Sequence, residues 1–334
     1  MHSRRTAQAA ALLAVLVIAA GIYAVSSSGT EGSATPAVVN TPQVDPGNLA
    51  SLPAGSRLLV RGVDTRASRA DGALYEITRT GAKKVSKLVC KRVYATPGRG
   101  GLCLTVAADG SSYDGVVFDR DYEPVRRFPV EGIPDRSRIS PDGRYAAFTS
   151  FDPAGAEGYF ETPVGFSTYT RILDAHTGKE LLRLEDVAVT NAGKPLDAKE
   201  AELWGVTFAG GDRYYATIAT GGHHYLIRGA VGSSGAAVVR DRVECPAISP
   251  DGRRIAYKRR IGDSNKWRYH VLDLASGEDV ALAEPRSIDD QPEWLGADAI
   301  VYSDDEAVFT VPADGTGKPT RLSRTATSPA FLSH

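Results

Sequence analysis

A six-residue turn motif occurs twice in this chain, and it constrains the fold more than any other feature. Residues 139–144 read Ile-Ser-Pro-Asp-Gly-Arg, and residues 248–253 repeat the same letters. Each copy is followed by a short apolar run, at 146–148 and at 255–257. Proline presets the first φ of a tight turn, aspartate binds its own backbone, and glycine accepts a positive φ. The motif therefore predicts a strand, a turn and a second strand, and its recurrence predicts a repeat fold.

Further hairpins of two kinds extend the repeat. Weaker copies of the first hairpin occur at 94–104, 208–217 and 294–302. A second hairpin follows with the pattern Leu-Asp-x-x-(Ser/Thr)-Gly, at 172–178 and 271–277, with a related turn at 311–315. Two hairpins make four strands per repeat, and residues 56–331 provide 46 residues for each of six units. This spacing predicts an all-β fold, a six-bladed β-propeller of four-stranded blades.

The two ends of the repeat region indicate how the ring closes. The first unit begins with a strand at 57–63 and lacks the strand that precedes the turn in the other units. Residues 328–331 provide an unpaired strand of that kind at the other end of the chain. Because terminal strands of a circular repeat must cover each other's edges, we expect this strand to complete blade one. The propeller is predicted to span 56–334.

The segment before the propeller predicts the compartment. Arg4 and Arg5 precede an uncharged apolar run from 9 to 25, which predicts an N-terminal transmembrane or signal helix over 1–25. An uncleaved anchor gives a single-pass protein of the cell membrane, and cleavage gives a secreted protein. Both alternatives place the propeller outside the cytoplasm. Residues 26–55 are rich in Ser, Thr, Gly and Pro and are predicted to form a flexible linker.

The repeats resemble those of TolB-type six-bladed propellers, especially the membrane-anchored TolB-like proteins of actinobacteria. The resemblance rests on the paired Ser-Pro-Asp-Gly-Arg turns, the Leu-Asp hairpins and the sequence Asp-Asp-Gln-Pro-Glu-Trp at 289–294. It implies a non-catalytic extracytoplasmic scaffold that binds another envelope or secreted protein in envelope transport or maintenance. The alternative is a ligand-sensing or enzymatic propeller that uses polar groups at the central channel.

Two of the three cysteines are placed for a disulfide. Cys90 and Cys103 flank the first hairpin of blade two, where they are expected to face each other across antiparallel strands. In an oxidising compartment a disulfide is the natural interpretation, and two buried free thiols are the alternative. Cys245 lies in an apolar inner strand and is expected to be a buried thiol.

Two insertions interrupt the repeat and are candidates for function. Residues 151–168 separate the second and third strands of blade three, and residues 186–203 separate blades three and four. In a propeller these two kinds of connection emerge on the same face. We expect aromatic residues there to bind a partner protein, or alternatively to plug the channel or cover a sheet edge. The candidates are Tyr159, Phe160, Phe166 and Trp204.

Charged residues near the start of the inner strands are expected to ring the mouth of the channel on that same face. Solvated loop charge is the alternative interpretation. These residues are Arg136, Glu202, Glu244, Asp289 and Asp290.

Several functional classes are disfavoured by the sequence. The 39 basic and 40 acidic residues give a net charge of -1, which argues against a nucleic-acid partner. The chain contains no Gly-x-Ser-x-Gly elbow and no phosphate-binding loop, so no catalytic residue and no cofactor are predicted. His223 and His224 are adjacent on a predicted strand and point to opposite faces, so no metal site is predicted. The protein is expected to be a monomer.

Overall fold

Six sheets arranged in a ring form the described part of the protein. The computed structural model describes residues 41–63, 72–151, 167–197, 201–262 and 264–332. Five sheets have four strands, and the sheet of blade 4 has six. The inner strands of successive blades contact one another around the whole ring. The predicted six-bladed β-propeller of four-stranded blades is confirmed.

The strands are numbered in chain order. Blade 1 contains β1 (Leu58–Gly62), β2 (Ala73–Thr78) and β3 (Gly81–Val89). Blade 2 contains β4 (Arg92–Thr96), β5 (Gly100–Val106), β6 (Tyr113–Phe118) and β7 (Pro124–Val130). Blade 3 contains β8 (Ile133–Ile139), β9 (Tyr145–Phe151), β10 (Thr168–Asp174) and β11 (Glu180–Arg183).

The chain then passes through a single 3-10 turn (Leu184–Asp186) and two short strands, β12 (Ala188–Asn191) and β13 (Lys194–Pro195). Blade 4 contains β14 (Glu202–Phe208), β15 (Arg213–Thr220), β16 (His223–Ala230) and β17 (Gly235–Asp241). Blade 5 contains β18 (Glu244–Ile248), β19 (Arg254–Arg260), β20 (Trp267–Asp273) and β21 (Asp279–Ala281). Blade 6 contains β22 (Glu293–Leu295), β23 (Ala299–Asp304), β24 (Ala307–Pro312) and β25 (Thr320–Ser323).

The last strand, β26 (Ala326–Phe331), closes the ring. It pairs antiparallel with β1 and forms the inner strand of blade 1, as predicted. The Leu332 amide continues the pairing by donating to the Arg57 carbonyl oxygen at 2.8 Å. Ala326 and Ala330 are fully buried, so both ends of the chain region 58–331 contribute to one blade.

The repeated turns form through the predicted local chemistry. In both copies of the motif the aspartate, Asp142 or Asp251, accepts hydrogen bonds from the preceding serine hydroxyl and from the backbone amide two residues later. The glycine that follows has a φ of +76° at Gly143 and +73° at Gly252, which a residue with a Cβ rarely adopts. These turns join the first and second strands of their blades, and we call the face where they lie the turn face.

The opposite face carries the connections between blades and those between the second and third strands of each blade, so we call it the insertion-bearing face. Apolar residues fill the spaces between adjacent blades rather than the channel. Tyr145 of blade 3, for example, stacks on Phe208 of blade 4 with ring centroids 6.0 Å apart.

The disulfide prediction is confirmed. Cys90 directly follows β3, Cys103 lies in β5, and their Cα atoms are 5.4 Å apart across the bond. The bond joins the end of blade 1 to blade 2, and closing a loop of this size contributes about 3 kcal/mol. Disulfides persist in oxidising compartments, so the bond indicates an extracytoplasmic protein. Cys245 is a buried free thiol.

The second half of the predicted linker packs against the propeller, which corrects the boundary at residue 55. Leu49 and Leu52, in and just after the short helix α1 (Pro46–Leu49), are almost completely buried. Asp45 forms an ion pair with Arg321 of β25 at 2.8 Å. This order was missed because the burial depends on β25, which lies more than 270 residues away in the sequence. The predicted apolar helix at 1–25 and residues 26–40 lie outside the described residues, and no described helix has the length and apolarity to cross a membrane.

The second insertion covers a sheet edge. Its strand β12 pairs in parallel with β17, the outermost strand of blade 4, and β13 pairs with β12. An exposed outer strand presents unpaired backbone groups, and this addition satisfies them. For residues 188–195 the edge-covering alternative is therefore the correct one.

Candidate functional site

β-bulges shape the inner wall of the channel. The pairing register of β14, β18 and β26 breaks beside a residue with positive φ: Gly205 at +68°, Cys245 at +50° and Ser328 at +52°. A Cβ added at Gly205 would lie 2.9 Å from the Cα of Cys245, so the first two bulges pack closely and glycine is required there. Bulges turn backbone groups and side chains away from their regular directions.

The segment that leads into β22 uses the carbonyl groups next to these bulges. Gln291 Nε2 donates to the Pro246 carbonyl oxygen at 2.8 Å and to the Val206 carbonyl oxygen at 3.4 Å. These acceptors directly follow the bulged residues of blades 5 and 4. Gln291 is buried, so blade 6 is tied to blades 4 and 5 at the channel.

A buried ion pair crosses the channel between opposite blades. Arg138 on β8 of blade 3 lies 3.4 Å from the Glu293 carboxylate on β22 of blade 6, and it donates to the Pro292 carbonyl oxygen at 3.1 Å. The Tyr94 hydroxyl of blade 2 donates to Glu293 at 3.4 Å, and the Arg138 guanidinium lies 4.2 Å from the centre of the Tyr94 ring. Burial raises the pKa of Glu293, although Arg138 partly opposes that effect. These contacts join blades 2, 3 and 6 across the channel.

A second layer of charge lies nearer the insertion-bearing face. Arg136 pairs with Asp135 at 2.6 Å, and Arg92 reaches both Asp135 at 3.3 Å and Asp290 at 3.8 Å. Burial works to lower the pKa of Arg136, but Asp135 and then Asp290 and Asp289 raise it well above its ordinary value. Arg136 therefore stays charged inside a shell of carboxylates.

Lys258 completes this layer from blade 5. Its ammonium group forms a short ion pair with Asp289, and the Lys258 side chain is only 3% exposed. Burial raises the pKa of Asp289, but Lys258 outweighs burial and leaves that pKa below its ordinary value. The predicted mouth residues Arg136, Asp289 and Asp290 are thus brought together as interacting charges.

The other two predicted mouth residues have separate partners. Glu244 is buried and accepts hydrogen bonds from Arg260 Nε at 2.9 Å and Trp267 Nε1 at 3.1 Å. Glu202 accepts from the Thr168 backbone amide at 2.7 Å, which ties blade 4 to blade 3. Both carboxylates therefore stabilise strand ends and do not join the Arg136 layer directly.

The structure buries one of the four residues of the predicted aromatic surface, Trp204. Trp204 is only 8% exposed and packs edge-on against His224 with ring centroids 5.9 Å apart. Trp204 is therefore buried and is not part of an exposed aromatic surface. Tyr159, Phe160 and Phe166 lie outside the described residues.

The central residues that sequence reasoning missed are Tyr94, Arg138, Lys258, Gln291 and Glu293. One local signal pointed to Arg138: it lies two residues after Arg136 on the same inner strand, and strand residues two apart share a face. Gln291 and Glu293 lie within the motif at 289–294 but have no local feature that assigns them to the channel. Glu293 contacts Tyr94, which is 199 positions away, and Gln291 contacts Val206 and Pro246, which are 85 and 45 positions away.

Comparisons with known proteins show likeness at the level of structure. No protein family and no curated protein matches the sequence. The structure is similar to TolB from Acinetobacter baumannii, with a TM-score of 0.59 and 17% identity over 85% of this chain and 69% of that one. It is similar to a chain of the nidogen/laminin complex, with a TM-score of 0.56 and 11% identity over 83% and 98% of the two chains.

The structure also matches a puromycin-hydrolysing peptidase from Mycobacterium tuberculosis, with a TM-score of 0.49 and 14% identity over 76% of this chain and 41% of that one. At these identities the matches to TolB and to the nidogen/laminin chain establish the fold alone, a TolB-like propeller.

Proposed function

We propose that this protein is a non-catalytic, extracytoplasmic scaffold of the cell envelope that binds another envelope or secreted protein through its insertion-bearing face. The proposal is carried by one observation: exposed apolar residues gather at that face of a TolB-like propeller. The TolB-like fold supports the further proposal of a role in envelope transport or maintenance.

Large hydrophobic residues are unevenly distributed between the two faces. Val89 ends β3, Val106 ends β5 and Ile133 begins β8, so all three lie at the insertion-bearing face on consecutive blades. They are 52%, 38% and 40% exposed, and Ile261 directly after β19 is 51% exposed at the same face. An apolar surface rimmed by charge is typical of a protein-binding site.

The charges beside this surface support binding rather than chemistry. Asp289 is held ionised by Lys258, and Arg136 by Asp135, so these groups are mutually neutralised instead of being poised to exchange protons. Such paired charges at a mouth favour orientation of a complementary partner.

In-cell crosslinking of the tagged full chain in its native envelope tests the proposal. The test variant replaces Val89, Val106 and Ile133 with Ser. A matched control replaces Val125 and Leu181, which are exposed at the start of outer strands on the turn face, with Ser. We expect a discrete partner that is captured by the wild type and the control and lost from the test variant.

Equal capture by all three proteins would contradict the proposed face, and capture of no partner would contradict the scaffold function. Tyr159, Phe160 and Phe166 are proposed as further partner contacts, and their replacement with Ser provides a second test variant.

We also propose that residues 1–25 anchor the protein in the membrane as a monomer with the propeller outside the cytoplasm. The uncharged run after Arg4 and Arg5 supports the anchor. Mass spectrometry of the mature N-terminus tests it, because an anchored protein retains residues 1–25 and a start near Ser26 means a released one.

A further inference from the structure

The channel opens on the turn face as a cavity of about 910 Å³. This volume is within the range of small-molecule sites. The inner strands and their turns form its wall, and Arg138 and Glu293 line its inner end. The cavity lies on the face opposite the proposed partner surface, so a ligand site here is independent of the proposed function.

Apolar side chains from several blades form about half of the cavity wall. Tyr94, Ile248 and Phe331, from blades 2, 5 and 1, are half-buried and present surface to it. Phe208 and Trp294 lie behind them among the lining residues, and both are buried. A flat or aliphatic body can therefore contact apolar groups from several directions.

The charge of the lining is positive. Four arginines line the cavity against two carboxylates, and the lining charged residues are Arg99, Arg120, Arg138, Arg213, Asp251 and Glu293. Arg138 pairs with Glu293, and Arg120 lies 3.7 Å from Asp121. Asp251 accepts a hydrogen bond from the Ser249 hydroxyl within its own turn. Neither Arg99 nor Arg213 has an acidic partner among the described residues, and both side chains are exposed at the rim.

A buried donor at the inner end also lacks a partner. Arg138 is 8% exposed, and its Nε has no hydrogen-bond acceptor in the described part of the chain. Among the described residues the Nε atoms of Arg136, Arg240 and Arg259 are unpaired in the same way, so this donor does not by itself indicate a ligand.

We propose that this cavity binds an amphipathic organic carboxylate. The apolar body lies against Tyr94, Ile248 and Phe331, and the carboxylate is bound by Arg99 and Arg213 at the rim. Guanidinium groups bind carboxylates through paired, charge-assisted hydrogen bonds. An apolar cation of the same shape is disfavoured because arginines outnumber carboxylates in the lining by four to two.

Isothermal titration calorimetry with the full chain tests the site, with 2-naphthoate as probe and 2-naphthylmethylamine as its cationic counterpart. The variant Arg99→Ala/Arg213→Ala removes the rim charges. Arg228→Ala/Lys318→Ala removes two exposed positive charges outside the cavity and serves as the matched control.

We expect one naphthoate bound per chain, at least roughly tenfold weaker binding to the rim variant, and less than a twofold change in the control. Binding of the amine at a similar affinity, equal loss in both variants, or no heat with naphthoate would each overturn the proposal. Because folding is reported separately by the melting temperature, a rim variant that melts like the wild type keeps the comparison valid.

Discussion

The ion pair that crosses the channel gives the sharpest test of how the ring is stabilised. Arg138 is 8% exposed, and the Glu293 side chain is 12% exposed. Replacing Arg138 with Met keeps much of the side-chain volume but leaves Glu293 buried without its counter-charge. Removing one partner of a buried pair typically costs about 3–5 kcal/mol. The loss is a large share of the roughly 5–15 kcal/mol by which domains are stable.

The cost of Arg138→Met depends on pH, and the raised pKa of Glu293 gives the direction of that dependence. Burial raises the pKa of Glu293 above the ordinary value of 4.5, so the folded state binds this proton more tightly than the unfolded state. The resulting contribution to the free energy of unfolding is fully present below pH 4.5, and it is lost as the pH rises through the pKa of Glu293 in the folded state. Without Arg138 that pKa rises further. We therefore expect the deficit of Arg138→Met to be larger at pH 7 than near pH 4.5.

A double-mutant cycle measured by urea denaturation isolates the pair. Glu293→Gln removes the buried charge, so Arg138→Met/Glu293→Gln is expected to be more stable at pH 7 than Arg138→Met alone. The urea concentration at the unfolding midpoint should change between variants, whereas the slope of the free energy of unfolding against urea concentration should not. Single effects that add to within about 0.5 kcal/mol would refute the coupling, since independent sites behave in that way.

Three further predictions concern the stability of the propeller. Replacing Cys90 and Cys103 with Ser should lower the free energy of unfolding by about 3 kcal/mol, and adding reductant should then change the wild type but not the variant. Deleting residues 326–334 should sharply lower the melting temperature because blade 1 loses its inner strand; an unchanged value would contradict closure. Asp45→Asn should cost about 1 kcal/mol at pH 7, measured by urea denaturation. Arg321 lowers the pKa of Asp45 below 3.8, so the stabilisation by the ion pair is present above pH 3.8. The difference between Asp45→Asn and wild type should therefore disappear as the pH falls through the pKa of Asp45 in the folded state.

Much of the fold follows from the sequence because its signals are local. The turns at 139–144 and 248–253 form from a serine, an aspartate and a glycine within a few residues, so their chemistry can be recognised without the rest of the chain. Regular spacing of such turns then implies the number of blades. The closing strand was predictable because one unit lacked a strand that the opposite end supplied.

The candidate sites were predicted less well because they depend on contacts between blades. Trp204 is the third residue of the inner strand β14, where it is buried and packs against His224 of the next-but-one strand. Residues 41–55 have the composition of a linker, yet Leu49 and Leu52 are buried by the propeller. Composition reports the surface a segment has available to bury, whereas its partner decides whether that surface is buried.

The sequence by itself determined the six four-stranded blades, their turns and the closing strand, since each depends on residues close in the chain or on simple counting. The structure then decided between a disulfide and two free thiols at Cys90 and Cys103. Only the tertiary structure decided that Arg138 meets Glu293 across the ring and that Gln291 ties blade 6 to two other blades. It also decided that the positive cavity opens on the turn face. Opposite blades are brought within hydrogen-bond distance by the radius and closure of the ring, and no local pattern encodes the register in which their inner strands meet.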